Sequence, residues 1–172
     1  DAGTGTVGWI DSSSWSFWQN AVQSAAAPLQ GGGAVTVSAT TIETSIMLPL
    51  WLNQVRGDDK PDLIISSNDW FSFYEASQVS IKRYTSAGDV SGGFTSLKYK
   101  NADVIFDGGS GIPAAHMYFL NSDYIELVVH KDADLSVQDD MKPYNQDATV
   151  IPVLWMGNMV CSNRRLQGVA KA

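Results

Sequence analysis

Apolar residues first recur at helical spacing and then, further along the chain, at the two-residue spacing of strands. Ile42, Ile46, Leu50 and Trp51 fall near one face of a helix that the pattern starts near Thr40. Thr40-Thr41-Ile42-Glu43 has the spacing of a capping box, in which Thr40 and Glu43 satisfy each other's free backbone N–H groups. Pro49 lies inside this run, donates no N–H, and is expected to kink or break the helix. Arg56-Gly57 is the expected stop, because glycine accepts the left-handed conformation past a helix end. After Pro61, Leu63 to Ser66 reads as a short buried strand. Ser67 or Asn68 then caps a second helix that runs to about Val79 and carries Trp70, Phe71, Phe73 and Tyr74.

A Gly/Ser-rich loop, Ser86 to Gly93, leads into strands. Phe94–Tyr99 and Asp103–Phe106 flank Lys100-Asn101-Ala102 as a hairpin, and Met117–Leu120 and Tyr124–His130 are further strands. In Tyr124–His130, Ile125, Leu127 and Val129 alternate with Glu126, Val128 and His130. Lys131 to Asp147 reads as a long polar loop. Thr149 to Val160 reads as a strand apolar on both faces, as expected where sheets or lobes meet. The first forty residues read as irregular, with Gly31-Gly32-Gly33 as a joint and Trp9, Trp15, Phe17 and Trp18 as aromatic anchors. No internal repeat is visible, and the mixture is α+β.

With 172 residues, 44% hydrophobic and 17% charged, the chain is expected to fold as one domain or as two lobes sharing a core. No run approaches 18 apolar residues, so no membrane span is expected. The polar, Gly-rich Asp1–Gly8 is not an intact signal peptide, and a start at Asp1 fits a processed product or a fragment. Cys161 is the only cysteine, which precludes an intrachain disulfide and fits a reducing compartment. The net charge of −7 and the lack of a dense basic patch argue against a sequence-specific DNA reader. A container that holds DNA without adhering to it tolerates that balance, as does ordinary acidic solubility.

The motifs of catalysis lack their contexts. Gly3-Thr4-Gly5-Thr6-Val7-Gly8 matches GxGxxG, but no strand fits before it and no acid follows at the required distance, so a turn is the better reading and no cofactor is expected. Gly108-Gly109-Ser110-Gly111 is not a nucleophile elbow. His130-Lys131-Asp132-Ala133-Asp134 offers one nitrogen and two carboxylates, yet lacks the remaining ligands of a zinc or calcium site. A solvated strand end is therefore preferred, and no metal is expected. His116 reads as a packed residue and Cys161 as a structural thiol. Asp58-Asp59 and Asp139-Asp140 read as solvated turns rather than catalytic carboxylate pairs.

The non-catalytic segments carry a resemblance. Val55-Arg56-Gly57-Asp58-Asp59-Lys60-Pro61-Asp62-Leu63-Ile64, Gly92-Gly93-Phe94-Thr95-Ser96-Leu97, Ala102-Asp103-Val104-Ile105-Phe106-Asp107, Gly111-Ile112-Pro113-Ala114 and Met117-Tyr118-Phe119-Leu120-Asn121 stand in order. After them come His130-Lys131-Asp132, Asn145-Gln146-Asp147-Ala148, Gly157-Asn158, Ser162-Asn163 and Leu166-Gln167-Gly168-Val169. This succession, from about Val55 to Val169, resembles the C-terminal portion of tailed-bacteriophage major capsid proteins. Before it, Gly8-Trp9-Ile10-Asp11 and Trp15-Ser16-Phe17-Trp18 are weaker matches.

The resemblance implies the Hong Kong 97-like capsid fold. Residues 1–60 would be a leading segment and the spine helix of the peripheral lobe, 61–147 the axial lobe, and 148–172 a strand returning to the peripheral lobe. It implies no enzyme but a self-assembling subunit, whose pentamers and hexamers close an icosahedral phage head around double-stranded DNA in the host cytoplasm. Portal, scaffolding or decoration proteins are further partners of such heads. Trp15, Trp18, Arg56, Asp58, Asp59 and Lys60 are the candidate contacts between subunits. Asp89 and Gly109 mark the loops Ser86–Gly93 and Asp107–Gly111 as candidate tips near the ring axes. For the four charged residues a solvated turn is an equal alternative. Three rival readings stay open: an encapsulin-like compartment, a secreted ligand-binding module with an apolar pocket, and an acyl hydrolase pairing Cys161 or Ser110 with His116 or His130.

Overall fold

A computed structural model describes residues 5–82, 97–109 and 111–172. It is a mixed α+β chain, mostly sheet with two α-helices. The strands are β1 (Thr6–Val7), β2 (Ile10–Asp11), β3 (Ala21–Ser24), β4 (Leu63–Ser66), β5 (Leu97–Tyr99) and β6 (Ala102–Phe106), then β7 (His116–Leu120), β8 (Ile125–Val129), β9 (Ser136–Val137), β10 (Val153–Leu154), β11 (Gly157–Cys161) and β12 (Gly168–Lys171). The helices are α1 (Leu48–Gln54) and α2 (Asn68–Lys82). The chain divides into two compact units, Asp1–Tyr124 with Asn163–Ala172, and Ile125–Ser162.

The first unit is built on a six-stranded sheet in the order β3-β12-β7-β4-β6-β5. Its register explains its core. Ala21, Gly168, Phe119, Ile64, Val104 and Leu97 pair in succession across all six strands, so side-chain alternation places one row of small and apolar residues on one face. Ile42, Ile46, Met47, Leu50 and Trp51 join this row in the core, together with Trp70, Phe71 and Tyr74 of α2. The helical spacing of Ile42, Ile46, Leu50 and Trp51 was thus a true core signal; three are fully buried and Trp51 nearly so. β4 and α2 follow the sequence expectation closely, and the β5–β6 hairpin does so over its described part. Lys100 and Asn101 form its two-residue turn, both with positive φ. Phe94–Ser96 and the loop Ser86–Gly93 lie outside the described residues.

Several expectations are corrected. The first forty residues are not irregular throughout: β1 and β2 form a hairpin, and β3 enters the sheet parallel to β12. Only the late strand β12 gives β3 a partner, so no local pattern marks it. The capping box does not form, and Thr41 has no side-chain cap bond at that helix start. Instead the Thr41 hydroxyl donates to the Thr36 carbonyl at 2.7 Å and accepts from Ser38 N–H at 3.0 Å. Glu43 instead accepts from Gln78 Nε2 at 3.4 Å.

Pro49 does not break the helical run, which continues from residue 42 to Gln54, and the surroundings compensate for it. Residues 42–47 wind as a π-helix before α1 begins, so Leu48 N–H reaches the Glu43 carbonyl. The carbonyl that Pro49 leaves without a helical donor is that of Ser45. Gln23 Nε2, from the buried face of β3, donates to it at 2.8 Å, and Gln30 Nε2 at 3.3 Å. Helix α1 ends at Gln54 with Val55 extended, so Gly57 is not its cap. Gly57, at φ 62, serves the tight turn in which Arg56 and Asp59 exchange backbone hydrogen bonds of 3.0 and 3.1 Å.

The second unit is an antiparallel ribbon. β8 pairs with β11, β9 with β10, and Met141 bridges Val150. Lys131–Asp147 is therefore not simply a loop: Ser136–Val137 and Met141 pair within it, and polar side chains with both faces in solvent hide that pairing. Thr149–Val160 is not one continuous strand either. Only β10, β11 and the Val150 bridge are paired in register, and its apolar side chains are mostly exposed rather than enclosed.

Candidate assembly surface

The predicted contact residues lie at several places in the first unit. Trp15 is exposed, with its ring 5.9 Å from that of exposed Phe17. Trp18 is half-buried and donates from Nε1 to the Val7 carbonyl at 3.1 Å, which ties the short 3₁₀ turn Ser16–Trp18 to the β1–β2 hairpin. Arg56, Asp58 and Lys60 are exposed on the turn after α1. Asp59 is half-buried and accepts from the Tyr124 hydroxyl at 3.0 Å, which raises the pKa of that phenol. None of these four enters an ion pair within the chain among the described residues, where Lys98–Asp103 at 3.3 Å forms one across β5 and β6. Gly109 donates its N–H to Asp107 Oδ1 at 3.0 Å, and Ile112 N–H reaches Oδ2 at 3.1 Å, so one carboxylate organises that loop. Asp89 and Ser110 lie outside the described residues.

The groups with catalytic or ligating character are occupied locally. His116 Nδ1 is 2.9 Å from the Ala114 carbonyl, and its ring stacks on Tyr118. The Ser67 hydroxyl donates to Asp69, whose second oxygen takes Ala115 N–H at 3.0 Å. These bonds outweigh the cost of partial burial and lower the Asp69 pKa. His130 Nδ1 accepts from Asp132 N–H at 3.2 Å. Cys161 pairs with Ile125 in the β8–β11 register. Five residues of strand then place His130 roughly 16 Å from it, beyond hydrogen-bond reach. Among the described residues no three His, Cys, Asp or Glu side chains gather as a metal site, and no helix is long and apolar enough to cross a membrane.

The feature that single-residue reasoning missed is the pairing of the ribbon and the exposure of its apolar side chains. Fourteen of the large apolar side chains exposed among the described residues belong to Ile125–Ser162, which makes it the dominant apolar surface. Leu127 and Met159 face each other across the strands at 60% and 67% exposure; Val137 and Val153 do the same further along. Trp155 lies over Gly157, where a Cβ would stand 2.4 Å from the indole, so the glycine lets this ring lie flat on the ribbon. The available signal was the two-faced apolar run Thr149–Val160, which also describes a strand awaiting a partner outside its own chain. No protein-family model matches this sequence, and no curated protein is significantly similar to it.

Proposed function

We propose that this chain is a structural subunit that assembles with copies of itself into a closed shell, in the manner of a tailed-phage major capsid protein with the Hong Kong 97-like fold. The observation that carries the reading is the ribbon Ile125–Ser162. An isolated two-stranded ribbon is marginal in water at best, and this one exposes apolar side chains on both faces and backbone donors and acceptors on both edges. A surface of this kind marks an interaction site. Covering half of its fourteen large apolar side chains between copies offers on the order of 10 kcal/mol, before the entropic cost of association is met. The ordered run of capsid-like segments from Val55 to Val169 supports the same reading, and the acidic net charge suits a wall that encloses DNA without binding its sequence.

Light scattering and negative-stain electron microscopy of the native full-length protein test it. Pentamers, hexamers or closed particles are expected, and Leu127→Lys with Met159→Lys should abolish them while leaving the first unit folded. A uniform monomer across the accessible concentration range refutes the proposal.

A further inference from the structure

The β1–β2 hairpin turns through Gly8 and Trp9, at φ 61 and 66. Both central residues of this two-residue turn must be left-handed, a conformation that glycine or asparagine adopts cheaply and a bulky aromatic does not. Trp9 nevertheless stands there at 99% exposure. The hairpin that displays it is well tied: the Gly5 carbonyl accepts from Ser12 N–H at 3.1 Å and from the Ser12 hydroxyl at 2.8 Å, and Trp18 braces Val7. The sequence therefore holds its most exposed indole at a firm tip, on a backbone that resists it, next to the exposed Trp15 and Phe17.

The same unit carries a groove of about 460 Å³ between the segment after β3 and α1. Its apolar walls are Leu29, Leu48, Pro49 and Leu52; Thr44 brings a hydroxyl to it, while the side-chain oxygens of Gln30 and Asn53 already accept from Gln23 Nε2 and Arg165 at 3.3 Å each. Leu52 is 64% exposed. An indole has apolar faces and one N–H donor, and this groove has apolar walls and the Thr44 hydroxyl to match.

Resting on the assembly reading above, we infer that Trp9 of one copy docks in this groove of the next copy, a head-to-tail contact that repeats around a ring. Knob and groove are different surfaces of one chain, an arrangement that gives rings when the rotation closes, or filaments, rather than two-fold dimers. The area points the same way. The exposed parts of Trp9, Trp15 and Phe17 offer about 330–550 Å² per side, so about 650–1,100 Å² in all, at roughly 150–250 Å² per aromatic. That falls short of the ~1,200–2,000 Å² of a stable pairwise interface. The contact is too small for a free dimer and suits a ring in which every copy makes it twice.

Disulfide trapping tests the contact. In a Cys161→Ser background, Trp9→Cys with Leu52→Cys in one chain should give, on mild oxidation, a covalent ladder ending at five or six copies. Mixing the two single variants should stop at dimers, and the control pair Glu75→Cys with Leu52→Cys should give none. Separately, Trp9→Gly should raise the concentration needed for assembly at least tenfold while the melting temperature stays level or rises, because the turn is relieved. Loss of a merely structural tryptophan would raise that concentration and lower the melting temperature together. If the Cys161→Ser parent forms rings but the trapping pair gives no ladder, or only dimers, the docking is wrong and the assembly reading stands. If that parent stays monomeric, both fall.

Discussion

Gly168→Ala is the smallest change with the largest calculable effect on this fold. Gly168 lies in β12 between Ala21 and Phe119, directly beneath Gln54 of α1. An added Cβ would stand 2.4 Å from Gln54 Nε2, 2.6 Å from Cδ and 2.9 Å from Oε1. Gln54 is fully buried, and its Nε2 donates to the Phe119 carbonyl at 3.2 Å and the Leu166 carbonyl at 3.3 Å, joining α1 to the sheet. The backbone at Gly168 is not left-handed, so alanine by itself would stabilise by about 0.4–1 kcal/mol through the unfolded chain. Against this stand overpacking of about 1–3 kcal/mol and two hydrogen bonds at about 0.5–1.5 kcal/mol each. The net expectation is a loss of about 2–4 kcal/mol, or roughly 5–15 °C in melting temperature for a chain of this size. Urea titration followed by circular dichroism measures it. In a Gln54→Ala background the same change should cost about 1–2 kcal/mol less, because the obstructing amide is gone. A cost below about 0.5 kcal/mol in the parent, or an equal cost in both backgrounds, would refute the steric argument.

Gln23→Ala should cost about 2–4 kcal/mol by leaving the Ser45 carbonyl and Leu29 N–H without their strongest partners, and Pro49→Ala should restore about 1 kcal/mol by returning a helical donor to Ser45. A urea double-mutant cycle reads both. Burial, and secondarily the Glu43 charge, push Tyr74 up to about 12, and burial raises Tyr99 as well. The unfolded phenols ionise near 10 while the folded ones keep their protons, so stability is intact below pH 10 and falls between pH 10 and about 12. Tyr74→Phe should flatten that decline in alkaline denaturation curves, although it loses the 2.9 Å bond to the Lys98 carbonyl at every pH. Asn101→Gly should stabilise the β5–β6 turn by about 0.5–1 kcal/mol, since φ 75 suits glycine better; thermal melting checks it.

What was legible in the sequence was local and periodic. The face Ile42–Trp51, strand β4, helix α2 and the β5–β6 turn each announce themselves within a few residues, through spacing, a cap or a turn pair. What was hidden depended on distant partners. β3 is four residues whose place follows from β12, and where the capping box was expected the Thr41 hydroxyl instead bonds back to Thr36 and Ser38 ahead of a π turn. Of the ribbon, β8 was read from its own sequence, but its pairing with β11 and the β9–β10 pair were not, because strands wet on both faces have no inside and outside to match. The charged turn Arg56–Lys60 was easily located. Trp9 was read only as one of four aromatic anchors, and its backbone angle and exposure are what distinguish it.

The parallel pairing of β3 with β12 also imposes an order in time. During synthesis β3, the π turn and α1 emerge early, yet the strand that seats them against β7 comes after the entire ribbon. Such distant pairing makes closure slow. The ribosome therefore presents the exposed apolar ribbon to the cell while the first unit is still ajar, which is a window for aggregation. A chain interrupted before Gly168 would have the means to stick and no finished shape to stick with.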